Sequence, residues 1–392
     1  MIDPEIRSAI KKIFPQITNA KQLAVLMEII YRTLYPTSKT RINISENTLR
    51  FLAFKKTDRY RRFEVPKKSG GVRLISSPIY SLKVYQSLLN VILQSVFTAH
   101  RSSYGFLYGK SIADNAKNHI GKKYVYNIDL ENFFPSIQFR RVKTVLGIEP
   151  FNLNGEKEEL AFLIANLCCE KESDNDSKGF LPQGAPTSPI LTNIISQRLD
   201  RKLLKIAKKN KAIYTRYADD ITFSCDNNIF NDDFFSDLRT IVEGQENFKI
   251  NEKKVRLQDY SSRQEVTGII VNKKSNLSGN YVDNLRFWIF LWERFGYEKT
   301  LMRFSKDYSK EKGFRRNKGS LPSMVSVIEG KLNFLGMIRG ANDSLYLSLK
   351  NKFLILNSQN QHLSAQEKEI PNILLILQKW KEKGIDHVIN LI

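Results

Sequence analysis

Tyr217-Ala218-Asp219-Asp220 lies between Ala212-Ile213-Tyr214-Thr215-Arg216 and Ile221-Thr222-Phe223-Ser224-Cys225. Apolar and β-prone residues alternate on both sides, so the stretch reads as a hairpin with two carboxylates at its tip. Adjacent carboxylates repel, and each ionises more easily in water than beside a second negative charge. A solvated turn tolerates such a pair. So does a divalent cation seated on it, and nucleotidyl transfer needs that arrangement.

Other segments separate the two readings. Upstream, Tyr124-Val125-Tyr126-Asn127-Ile128-Asp129 is a short β-prone run ending on an acid. A neighbouring antiparallel hairpin could bring Asp219 and Asp220 beside Asp129, which alone is equally a strand-end cap. Three acids clustered at strand ends are unfavourable without cations. With two Mg²⁺ ions about 3.5–4 Å apart they make a site for in-line phosphoryl displacement. Leu181-Pro182-Gln183-Gly184-Ala185-Pro186-Thr187-Ser188-Pro189 is a stiff turn into a helix. It lets a substrate lie close to backbone, or serves as an ordinary helix entry. Arg62-Phe63-Glu64-Val65-Pro66-Lys67-Lys68-Ser69-Gly70-Gly71-Val72-Arg73 sets Lys67, Lys68 and Arg73 around a glycine turn. A hairpin of that kind can fold over a triphosphate or stand as a solvated basic arm.

Composition narrows the partner. The chain has 392 residues, with 62 Lys and Arg against 40 acids, a net charge of +22. An excess of that size implies a polyanion. No apolar run approaches the ~18 residues of a spanning helix, and Asp3 and Glu5 stand where a targeting signal would be basic, so no membrane is expected. Nucleic acid is the better partner. Cys168, Cys169 and Cys225 form no disulfide framework or metal spacing, His100, His119, His362 and His387 are scattered, and a reducing cytoplasm fits. The chain length allows two or three subdomains.

Helical spacing covers 1–50, two strands cover 59–78, and helical spacing returns over 79–98. Helices are predicted near 138–146, 157–170, from Pro186 to Ala207, and over 232–243. Strands are predicted around 248–257 and 264–271, then a mainly helical region from 280. Helices mixed with antiparallel strands make the fold class α+β. Lys299, Arg303, Lys306, Lys310, Lys312, Arg315, Arg316 and Lys318 interleave with Tyr297, Phe304, Tyr308 and Phe314. Such a segment suits phosphate contact and base stacking, and is read as RNA-gripping.

In this order the segments resemble a reverse transcriptase of the right-hand polymerase type over roughly residues 50–340. The resemblance implies an N-terminal helical segment (1–50), fingers (51–123) and a palm of antiparallel sheet with helices (124–275, with a fingers-related insertion around 147–185). A helical thumb (276–350) and a C-terminal extension (351–392) follow. It implies that Asp129, Leu130, Asp219 and Asp220 hold two Mg²⁺ ions, Asp129 and Asp219 most directly. It places Lys67, Lys68 and Arg73 on the incoming dNTP, Gln183 and Gly184 on template and nucleotide, and Phe134 where an aromatic rejects a ribose 2′-OH.

Asn115-Ala116-Lys117-Asn118-His119 before the first acidic strand and Val266-Thr267-Gly268 after the hairpin resemble the two strings of retron reverse transcriptases. That resemblance implies a bacterial, cytoplasmic enzyme that copies part of a structured non-coding RNA. Priming from an internal guanosine 2′-OH would give branched RNA–DNA (msDNA), used in phage defence with a separate effector protein. Asn115, His119, Val266, Thr267, Gly268, Arg303, Arg315 and Arg316 are then the RNA-binding candidates. A group II intron-type reverse transcriptase is the runner-up, although 392 residues leave little room for maturase or endonuclease segments. A non-catalytic RNA-binding scaffold of the same fold is the other alternative. The loop 170–178 is longer than many relatives need. The apolar run Ile373, Leu374, Leu375, Ile376, Leu377 and Trp380 reads as a packed terminal helix or a docking helix.

Overall fold

Helical and β-prone stretches become thirteen helices and eight strands among the described residues of a computed structural model. Those residues are 3–35, 42, 44–55, 58–67, 70–171, 179–308 and 321–368, with side chains through 360. Lys68, most of the 170–178 loop, Arg315, Arg316 and the run from Pro371 lie outside them. In chain order the elements begin with α1 (Pro4–Ile13), α2 (Ala20–Leu34), α3 (Glu46–Phe54), β1 (Tyr60–Pro66), β2 (Val72–Pro78), α4 (Tyr80–Val96) and α5 (Ile112–Lys117). Then come β3 (Tyr124–Asp129), α6 (Phe139–Leu146), α7 (Glu158–Cys168), α8 (Ser188–Ile195), α9 (Gln197–Lys209), β4 (Ile213–Tyr217), β5 (Asp220–Cys225) and α10 (Asp232–Arg239). The last are β6 (Arg256–Asp259), β7 (Glu265–Val266), β8 (Ile269–Ile270), α11 (Gly279–Tyr308), α12 (Met324–Arg339) and α13 (Ser344–Lys368). The chain divides into two compact units, Met1–Lys273 and Lys274–Ile392.

The first unit is built around an antiparallel sheet of order β4-β5-β3-β6. Side chains alternate across a strand, and the sequence uses this to make two unlike faces. Tyr126, Ile128, Tyr214, Ile221 and Phe223 enter the apolar core with α6 to α10. Asn127, Thr215, Thr222 and Ser224 form a buried polar row on the other face. There the Asn127 amide donates to Thr222 Oγ1 at 3.0 Å and accepts from Gln258 Nε2 at 2.6 Å. The acids Asp129 and Asp220 continue this polar row at its open end. β1 and β2 form a separate hairpin, paired from Tyr60↔Pro78 to Pro66↔Val72.

Three predicted elements differ in detail. The helix from Pro186 breaks at Ser196 into α8 and α9, because Ser196 flattens to ψ −1°. The helix over 232–243 narrows to α10, continued by a wider π turn over Thr240–Gln245. The strand around 248–257 is divided: Ile250 bridges Leu130, a 3₁₀ turn over Glu252–Lys254 redirects the chain, and β6 starts at Arg256.

The second unit packs α11, α12 and α13 through Trp288, Trp292, Leu332, Leu335 and Phe353. α11 is interrupted at Gly296 (φ 79°, ψ 172°), a conformation essentially confined to glycine. Among the described residues no helix is long and apolar enough to cross a membrane.

Candidate active site

The acidic tip is a two-residue turn. Tyr217 pairs with Asp220, leaving Ala218 and Asp219 as its central residues. Ala218 has φ 57°, where this kind of hairpin turn normally uses glycine. The cost, about 1–2 kcal/mol for a residue with a Cβ, is met by a dense buried support. Arg216 Nη1 donates to the Ala218 carbonyl at 3.0 Å. Its Nε and Nη2 donate to Asp200 Oδ1 and Oδ2 at 2.7 and 2.8 Å, and both side chains are fully buried. The Tyr214 hydroxyl donates to Asp200 Oδ1 at 2.6 Å. Segment 102–106 runs alongside: Arg216 N–H donates to the Ser102 carbonyl and Tyr104 N–H to the Arg216 carbonyl, each at 2.8 Å. A Cβ on Gly105 would stand 2.4 Å from the Ala218 nitrogen. Only glycine allows that approach.

The register then gathers the acids. Asp129, last in β3, faces Asp220, first in β5, and Leu130 N–H donates to the Asp219 carbonyl at 3.1 Å. Burial, then Asp219 and Asp129, push the Asp220 carboxyl up to about 7. Burial and then Asp129 also raise Asp219. A site whose acids resist joint ionisation favours a bound cation. One protein cation already sits there: Lys254 Nζ lies 2.9 and 2.8 Å from the two Asp129 carboxylate oxygens. Among the described residues no three His, Cys, Asp or Glu side chains close on one point as a ready-made metal cage. The acids fit a metal as an open cluster of hard oxygen donors with an ammonium on its main carboxylate. Leu130 is buried, and what it turns towards the acidic turn is its backbone N–H.

The nucleotide-side candidates surround this cluster unevenly. Lys67 and Arg73 lie exposed at the tip end of the β1–β2 hairpin, where Lys67 N–H donates to the Gly71 carbonyl. The positive charge of Arg73 lowers the Asp219 carboxyl against the stronger raising effects. Gln183 and Gly184 hold the base of that hairpin: Ser76 N–H donates to the Gln183 carbonyl at 2.9 Å. Gly184 (φ 130°) passes so close that a Cβ would stand 2.8 Å from the Ser76 oxygen. Phe134 is partly buried, with ring centres 5.8 Å from Phe133 and 6.1 Å from Phe106.

The RNA-binding candidates divide. Asn115 and His119, expected on the RNA side, are buried in this structure. His119 is a brace: Nδ1 is 2.7 Å from Ser224 Oγ and Nε2 2.7 Å from Thr215 Oγ1, tying β5 to β4 beneath the acids. Burial lowers its pKa to about 3, so it works as a neutral ring. Val266 is likewise fully buried. Thr267 and Gly268, both at positive φ, make the turn between β7 and β8. α5 packs on β8, so the two short strings are neighbours in space. Arg303 is exposed on α11 and pairs with Asp307 one turn on. Sequence reasoning passed over Lys254, Arg216, Asp200 and Phe106. Of these only Arg216 had a local signal, a charge at an inward position of an alternating strand.

A pleated palm sheet, a fingers-like basic hairpin and a separate helical unit make the fold that of a right-hand polymerase. The family described as "Reverse transcriptase (RNA-dependent DNA polymerase)" matches residues 65–271, more than half of the chain. The chain is similar to the retron Mx65 reverse transcriptase of Myxococcus xanthus, 36% identical over 238 residues, covering 58% of this chain and 54% of that one. It is 34% identical to the retron Mx162 reverse transcriptase of the same organism over 258 residues, covering 59% and 52%. It is also 34% identical to the retron Ec86 reverse transcriptase of Escherichia coli over 256 residues, covering 62% and 73%. The chain thus spans about half the length of the first two relatives and nearly three quarters of the third. It belongs to the reverse transcriptase family and, within it, to the retron reverse transcriptases.

Proposed function

We propose that the protein is an RNA-directed DNA polymerase that extends DNA from dNTPs on a structured RNA template. The observation that carries this reading is the pairing of Asp129 with Asp220 beside the Asp219 turn, inside a segment that matches the family. Asp129, Asp219, Asp220 and the Leu130 carbonyl would hold two Mg²⁺ ions. When bound, these supply charge stabilisation for in-line displacement at the triphosphate. Lys254, on the Asp129 carboxylate in this structure, holds part of the positive charge that a bound metal would otherwise supply there. Lys67, Lys68 and Arg73 neutralise the triphosphate, and Gln183 and Gly184 align template and nucleotide against the hairpin base. Phe134 stands against the ribose 2′ position and excludes a hydroxyl. In domain terms, 51–123 acts as fingers, 124–275 as palm and 276–350 as thumb.

The retron relatives support a finer reading. The template is part of a non-coding RNA, priming comes from an internal guanosine 2′-OH, and the product is msDNA. The complex works in the bacterial cytoplasm with an effector protein against phage. Exposed Arg303, with Arg315 and Arg316, would grip RNA phosphates.

The test is Asp219→Ala. Primer extension with Mg²⁺ and dNTPs should fall to background, while RNA affinity stays within about twofold, because the basic surface is untouched. Extension at the wild-type rate by this variant would reject the assignment. A wild-type protein that binds RNA but extends nothing would point to the scaffold alternative.

A further inference from the structure

Phe106 is a bulky residue held at φ 62°, in the left-handed region that such side chains rarely enter. Its neighbour Gly105 is pinned on two sides. The Gly105 carbonyl accepts from Asn193 Nδ2 at 2.8 Å, and its α-carbon leaves no room for a side chain against Ala218. The chain therefore turns sharply at 106 and throws the ring outward, where it remains 39% exposed. An exposed phenyl ring at a strained position adds nothing to the core, so its orientation asks for another reason.

The ring reaches two neighbours. Its centre lies 6.1 Å from Phe134 and 6.4 Å from Tyr217, the residue that leads into the acidic turn. Phe134 thus has two ring neighbours, Phe133, buried and packed on Phe248, and the partly exposed Phe106. A partly buried phenyl ring supported by one neighbour only can rotate or retreat. A ring supported by two keeps its position against whatever lies beyond it.

We propose that Phe106 is a second specificity residue for the nucleotide sugar, acting as a positioning residue that prevents Phe134 from yielding to a 2′-hydroxyl. This rests on the reading of Phe134 as the sugar-facing aromatic. Sterically, a fixed wall rejects an added hydroxyl more strongly than a wall that can move, and the loss is read in discrimination before it is read in rate. Tyr217 on the other flank couples the same ring to the hairpin that carries Asp219.

The experiment measures single-nucleotide kcat/KM for a ribonucleotide and for the matching deoxynucleotide on one primer–template, in full-length protein. Phe106→Gly removes the ring and also relieves the φ strain, so its fold should hold, which thermal unfolding checks. Phe106→Leu serves in its place if it does not. The expected result is a rise of roughly tenfold in the ribo-to-deoxy ratio. Phe106→Tyr, which keeps the ring, should return the wild-type ratio. Phe134→Ala should raise the ratio further, and Phe134→Ala with Phe106→Gly should go no higher than Phe134→Ala alone. If Phe134→Ala raises the ratio and Phe106→Gly leaves it unchanged, the inference fails while the role of Phe134 stands. If Phe134→Ala itself changes nothing, the reading of Phe134 fails and this inference with it. Additive effects in the double variant would also overturn it.

Discussion

Two hairpins of the first unit carry charge at their tips, and they are built in opposite ways. The acidic hairpin β4–β5 is fixed from below by the buried Arg216–Asp200 pair, from the side by Gly105, and across its strands by His119. The basic hairpin β1–β2 is largely exposed, and a Cβ on Gly70 or Gly71 at its turn would meet nothing within 4 Å. Among the described residues it is tied down towards its base, by Ser76 on Gln183 and by Tyr60 and Arg62, which reach Gln86 and Glu170. Groups that define a metal geometry must hold position to a fraction of an ångström. Groups that gather a triphosphate need charge and reach. The contrast between the hairpins suits the roles proposed for them above.

The largest effect should come from breaking the support of the acidic turn. Asp200→Ala leaves the Arg216 guanidinium buried without its carboxylate, a change worth about 3–5 kcal/mol. Unfolding should move to markedly lower denaturant, and primer extension should be lost at temperatures where the variant remains folded. A loss under about 1 kcal/mol would mean the pair is no support. Gly105→Ala should cost about 2 kcal/mol through its clash with Ala218. It should reduce extension far more than RNA affinity, and equal losses in both would contradict a local effect on the turn.

The brace under the sheet gives a pH signature. Unfolded His119 takes a proton below about 6.5, whereas the folded ring stays neutral until about 3. Between those values the unfolded state binds more protons, so stability falls as pH drops, by up to about 2 kcal/mol at pH 5. His119→Gln should lower stability at pH 7 and flatten this acid slope, read by denaturant titrations at pH 7 and 5. An unchanged slope would place the acid sensitivity elsewhere.

The smallest structural effect belongs to the basic hairpin. Lys67→Ala should leave the unfolding midpoint within about 0.5 kcal/mol, yet raise the KM for dNTP several-fold with a smaller change in kcat. A fall in stability to match would mean this arm is also part of the rigid frame.

The acidic hairpin was legible because alternation on both flanks allows one turn position, and one acid occupies it with the second directly after. Asp129 was legible as the end of a β-prone run, but its register against Asp220 was not, since pairing between distant strands leaves no local mark. The surroundings of His119 were not legible, because a short polar string looks the same whether it meets RNA or hydroxyls inside the protein. Its partners, Thr215 and Ser224, are ordinary strand residues in sequence. Lys254 lies in one of several basic stretches, and nothing in its neighbours singles out the lysine that reaches Asp129. Phe106 needed a backbone angle that sequence does not display.

The strand order has a consequence for how the protein is made. β3, the strand that ends in Asp129, is synthesised before both of its neighbours yet lies between them. Until β5 and β6 emerge, it is an apolar segment with two open edges, the kind of surface that recruits other chains. Long-range pairing of this sort also forms slowly. Yield of active protein should therefore respond to growth temperature and chaperone supply more steeply than the stability of the finished fold would suggest.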